Sequence, residues 1–155
     1  MKKTVLKNYA KLIAKTGVNV KSGQDVIIRA ELDQPEFVAY VAEECYRAGA
    51  RNVRVEWSHQ PVSRLNAIYQ SEDTLAEVAP WQEEKLRDQS LSLPAVIYLE
   101  SADPDGMSGV DAHKVSSASM RRFPKIKPYR DAMENKYQWC IAAVAGKNWA
   151  KKVFP

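Results

Sequence analysis

The 155-residue sequence predicts an α/β fold: a three-layer α/β/α domain around a mostly parallel sheet of about four to five strands. Three observations carry this expectation. A strand–helix–strand unit occupies Asp25–Trp57. Two later apolar runs, 93–99 and 139–144, are separated from it and from each other by helical patterns. No internal repeat or low-complexity linker divides the chain, so positions 1–155 are read as one domain.

The first unit sets the pattern. Val26-Ile27-Ile28 is too short for a helix between Gly23 and the turn residues Asp33 and Pro35, and it reads as a buried strand. Pro35 suits the first turn of a helix. Phe37, Val38, Val41, Ala42, Cys45 and Ala48 then recur at the spacing of one helical face, and Gly49 stands where a left-handed cap wants a residue without Cβ. Val53, Val55 and Trp57 alternate as the next strand. Such a crossover is right-handed and makes the two strands parallel neighbours, which must be covered on both faces.

Before this unit, Val5, Leu6, Tyr9, Leu12 and Ile13 form an apolar stripe opposite Lys3, Lys7, Lys11 and Lys15, predicting an amphipathic helix stopped by Gly17. After it come a short helix from Pro61, a turn capped by Ser71 and a helix at roughly Trp81–Gln89 with Pro80 at its start. A strand is expected over 93–99, then a turn-rich loop from Ser101 to Gly109. Asp111 is placed as the cap of a helix. Pro124 and Pro128 are expected to break it, with a further helix running to about Asn135. Trp139–Val144 is the last strand. Trp149, Val153 and Phe154 put apolar residues where a polar tail is expected, so the chain reads as a piece of something longer.

Composition excludes little but bounds the partners. A net charge of +4 permits nucleic acid without demanding it. Cys45 and Cys140 sit inside apolar patterns and read as free thiols of a reduced compartment. Lys7, Asn8 and Lys11 interrupt any apolar region behind Lys2 and Lys3. Neither a targeting segment nor a membrane span is read, and a cytoplasmic location is expected.

The common chemical signatures are missing. The sequence has no G-x-G-x-x-G, no G-x-x-x-x-G-K-[ST], no H-E-x-x-H, no C-x-x-C and no G-x-S-x-G. With only His59 and His113, a zinc site rich in histidine cannot be assembled. What remains is positional, because ligands of open α/β sheets bind outside the carboxyl ends of the strands. Those ends carry Glu31 and Asp33, Trp57 and His59, Glu100 and Asp103, and Lys147. Of these, Glu31, Trp57, His59 and Asp103 are the candidate rim of a substrate cleft. No catalytic residue and no metal ligand is assigned. Glu56-x-x-His59 and Asp111-x-His113 each offer two donors to a metal, but polar residues at strand ends and helix caps are ordinary. Arg121, Arg122, Lys125, Lys127 and Arg130, interleaved with Phe123 and Tyr129, could track a phosphate backbone; a solvated helix–loop face or a surface answering an acidic partner domain is the plainer reading, and no nucleic-acid partner is assigned.

Three stretches together carry a resemblance. LIAKTGVNVKSGQDVIIRAELDQPEFVAYVAEECYRAGARNVRVEW, the loop ADPDGMSGVDAHKV and the closing NKYQWCIAAVAGKNWAKKVFP resemble the amino-terminal domain of the aminopeptidase T / aminopeptidase S family of bacterial dinuclear metalloaminopeptidases. The match runs from Leu6 to Pro155. It implies a larger, dimeric enzyme that removes amino-terminal residues from peptides. It also implies two divalent ions, zinc, cobalt or magnesium, held in a carboxy-terminal domain beyond this chain, so none of the family's metal ligands is carried onto these residues. The domain here would lean on that second domain and help wall the cleft, and by itself would not hydrolyse peptides. Where the family often has asparagine before the loop proline, this sequence has Asp103. Two other readings stay open: a non-catalytic, flavodoxin-shaped module binding a ligand or protein at its strand-end rim, and an RNA-binding accessory domain using 121–130.

Overall fold

The computed structural model describes residues 2–154. Within them lie four strands, β1 (Asp25–Glu31), β2 (Asn52–Ser58), β3 (Ala95–Glu100) and β4 (Trp139–Ala143). The helices are α1 (Lys3–Leu12), continued by a π-helical turn at Ile13–Gly17, α2 (Pro35–Arg47), α3 (Gln60–Tyr69), α4 (Glu72–Ala76), α5 (Pro80–Ser92), α6 (Ala112–Met133) and α7 (Lys147–Val153). The strands form one sheet in the order β2-β1-β3-β4, and every pairing is parallel.

The chain folds as two compact units. The first runs up to His59 and adds Pro94–Pro104 and the stretch from Tyr137 on; the second is Gln60–Leu93 with Asp105–Lys136. All four strands belong to the first unit. Period-two alternation sends Val26, Ile28 and Ala30 of β1, Ala95, Ile97 and Leu99 of β3 and Ala142 of β4 into one core with Ala10, Ile13, Ala14, Phe37, Val38, Val41 and Cys45. Burying a valine or isoleucine this fully contributes about 1.5–3 kcal/mol each, and that gain holds α1 and α2 on this face. The Tyr9 ring stacks on Phe37 at 5.6 Å, and its hydroxyl donates to the Ala143 carbonyl at 3.1 Å. Ile27 and Val96 point the other way and are also buried.

The first crossover is as expected. Pro35 opens α2, and Gly49 adopts φ +102° just past its end, a conformation that a side chain would strain. On the opposite face, Arg29 reaches both neighbouring strands. Its Nε donates to Glu56 Oε2 at 3.0 Å and its Nη1 to the Tyr98 hydroxyl at 3.1 Å, following a register that sets Arg29 beside Glu56 and Tyr98.

The second unit is helical. Ser71 caps α4 by accepting from the Thr74 amide, and Asp111 caps α6 by accepting from the Lys114 amide. Glu72 joins α4 to α6 by accepting from the Ser117 hydroxyl at 2.6 Å and from Arg121 at 3.3 Å. Those two hydrogen bonds, the serine's first, hold its carboxyl below the usual carboxylate range. Tyr129 donates to Glu83 at 2.7 Å and so joins α6 to α5.

Three boundaries depart from the sequence reading. The helix at Pro80 runs on to Ser92, and β3 begins at Ala95, because Leu93 takes the left-handed conformation at φ 46° and caps α5. The expected break at Pro124 and Pro128 does not occur, and α6 continues through both. A proline at i removes the amide that would bond the i−4 carbonyl, here those of Met120 and Pro124. Both residues are exposed, so water can take the missing donors' place.

Candidate functional site: the strand-end rim

The chain leaves β1 for β2 on one side, then returns past β1 to β3 and on to β4. The crevice between the carboxyl ends of β1 and β3 is therefore the topological switch point, where open α/β sheets bind ligands. Asp33 follows β1 there and Ser101 follows β3. The Ser101 hydroxyl donates to Asp33 Oδ1 at 2.5 Å, and Ser101 is one of the few buried polar residues. Gly146, after β4, closes on the same pair. A Cβ placed on it would stand 3.0 Å from Asp33 Oδ2 and 3.4 Å from the Ser101 carbonyl oxygen, so only a bare backbone fits without movement.

The four rim residues named from sequence all lie at this end of the sheet. Glu31 ends β1 in register with Ser58, whose hydroxyl donates to Glu31 Oε1 at 2.7 Å. Trp57 is on β2 beside Ala30, with 44% of its surface exposed. His59 follows β2 and is exposed. Asp103 lies in the loop after β3, and its Oδ2 accepts from Asn148 Nδ2 of α7 at 2.7 Å. Ser101, Gly146 and Asn148 were not singled out by sequence reasoning. The available signal was a small hydroxyl residue directly after the last position of an interior strand.

The rim's donors do not fit a metal ion. Among the described residues, no three histidine, cysteine, aspartate or glutamate side chains come together as a ligand group. Glu56 faces the guanidinium of Arg29, and Asp111 is committed to its cap. The rim therefore offers hydrogen-bond acceptors, an imidazole and an indole face, a surface suited to shaping a pocket.

Two members of the basic run on α6 meet acidic side chains within the second unit. Arg121 pairs with Asp73 at 2.8 Å and with Glu72 at 3.3 Å, and Lys127 pairs with Asp131. Both cysteines are free thiols. Cys45 is buried, and that burial pushes its pKa up to about 12. Among the described residues, no helix is long and apolar enough to cross a membrane.

These features define an α/β domain built on an all-parallel four-stranded sheet, with a rim of polar side chains at the carboxyl ends of its strands. The particular family follows from comparison: residues 2–155 match the family described as Thermophilic metalloprotease (M29), and the chain belongs to it. Aminopeptidase PepS of Streptococcus thermophilus is 32% identical over 151 residues, covering 97% of this chain and 37% of that protein. Aminopeptidase AmpS of Bacillus subtilis is 29% identical, with the same coverage. Among solved structures, wild-type AmpT from Thermus thermophilus superposes with a TM-score of 0.83 at 28% identity, over 96% of this chain and 38% of that one. The chain thus spans little more than a third of the length of the curated relatives it matches.

Proposed function

We propose that this chain is the amino-terminal domain of a metal-dependent aminopeptidase, a hydrolase that removes amino-terminal residues from peptides. The observation that carries the reading is the match of residues 2–155 to the metalloprotease family, together with coverage of only 37% of aminopeptidase PepS. Two divalent ions, zinc, cobalt or magnesium, would be held by residues of a second, carboxy-terminal domain outside this sequence. The domain described here supplies shape: Glu31, Trp57, His59 and Asp103 form the rim of the substrate cleft, with Glu31 held by Ser58 and Asp103 by Asn148. The complete enzyme is proposed to be a cytoplasmic homodimer.

The test uses the longer polypeptide. It is expected to release amino-terminal residues from short unblocked peptides, to lose that activity to a chelator, and to spare peptides whose amino terminus is acetylated. Cleavage of the blocked peptide at equal rate, or turnover indifferent to chelation, would overturn the reading.

A further inference from the structure

β4 is one of the two edge strands of the sheet, and its two faces differ. Cys140 and Ala142 point into or against the core with α1 and α2. Trp139 and Ile141 point the other way, with 59% and 61% of their surfaces exposed. They extend a row already on that face: Trp139 is in register with buried Val96, and Ile141 with Tyr98, the partner of Arg29. Strands of parallel sheets are normally covered on both faces, and two large apolar side chains two positions apart on a parallel edge strand break that rule. Exposed aromatic and aliphatic residues grouped this way mark a contact surface.

We infer that the Trp139–Ile141 face of β4 is the seat on which the remaining part of the longer polypeptide packs. This inference rests on the proposed function. What selects that occupant is length: this chain covers 37% of aminopeptidase PepS and 38% of the AmpT structure, so most of each relative lies outside the matched stretch and must pack somewhere. A docked segment would bury the indole of Trp139 and the side chain of Ile141 beside Val96. The neighbouring Tyr98 hydroxyl and Arg29 would form the polar border of the apolar centre.

Hydroxyl-radical footprinting read by mass spectrometry tests this on both polypeptides. In the present chain Trp139 and Ile141 are expected to oxidise readily, and in the longer polypeptide to lose most of that labelling, while Tyr69, 81% exposed on α3, labels in this chain as a control. The double variant Trp139→Ser, Ile141→Ser should unfold at the same denaturant midpoint as the present chain, but should lower the midpoint of the longer polypeptide. Equal labelling of Trp139 and Ile141 in both polypeptides overturns the inference. So does protection that grows with concentration in the present chain alone, which would make a second copy the occupant. If the longer polypeptide is an active aminopeptidase and these residues still label equally, only the docking inference falls. If it has no aminopeptidase activity, the functional reading falls first.

Discussion

Ser101 donates its hydroxyl hydrogen to Asp33 across 2.5 Å and ties the loop after β3 to the loop after β1. Because β1 and β3 flank the switch point, this bond sets the width of the crevice at its base. Replacing Ser101 with alanine removes the donor and should cost about 1 kcal/mol, the net worth of an ordinary hydrogen bond. Gly146→Ala should destabilise the same corner by pressing a methyl against Asp33. Urea denaturation of each variant checks both, and an unchanged midpoint for both would mean that the corner contributes nothing to stability.

The π-helical turn is expected to depend on a second close approach. A Cβ on Gly17 would sit 2.7 Å from Cys140 Sγ on β4. Gly17→Ala should therefore destabilise by about 1–3 kcal/mol, the usual cost of overpacking. Cys140→Ala in the same chain should recover part of that loss, and a double-mutant cycle would read the coupling. Additive effects would contradict the contact.

Alkaline pH should weaken the fold through Cys45. The folded thiol titrates at about 12, against an ordinary 9.0, because burial disfavours the thiolate. Between those values the unfolded chain has released this proton and the folded chain keeps it. The thiol's contribution to stability is therefore complete below pH 9 and is lost as pH rises through the folded value. Tyr9 is also raised, chiefly by burial, and adds to the same slope. Stability measured from pH 8 upward should fall less steeply in Cys45→Ala than in the unaltered chain. An identical slope would show that the thiol is not desolvated.

The prolines of α6 make a prediction of opposite sign. Proline inside a helix is about 3 kcal/mol less favourable than alanine, partly offset by the freedom that alanine restores to the unfolded chain. Pro124→Ala and Pro128→Ala should each stabilise the second unit, by about 2 kcal/mol, and raise helical circular dichroism. A loss of stability in either would mean that the proline ring makes packing contacts that outweigh the missing amide.

Much of this fold is legible in the sequence. Period-two and period-3.6 apolar patterns placed each strand and most helices, because burial on one face imposes those spacings. The helix through Pro124 and Pro128 was not legible, since the cost of an internal proline depends on whether water reaches the orphaned carbonyls, a tertiary property. Leu93 reads as strand because nothing local marks a leucine for a left-handed cap. The rim divides in the same way. The positions of Glu31, Trp57, His59 and Asp103, at or just past the ends of apolar runs, are legible in the sequence. The partners Ser101 and Asn148 are not, because their contacts close over 68 and 45 residues of chain.

The proposed function puts the reactive metal ions outside this chain. Its most direct test is incubation of the purified 155-residue chain with a leucine chromogenic amide and added cobalt or zinc, beside the longer polypeptide. The expected result is no turnover by the chain above a mock-purified control and metal-dependent turnover by the longer polypeptide. Metal-dependent hydrolysis by the chain alone, surviving further purification, would contradict it.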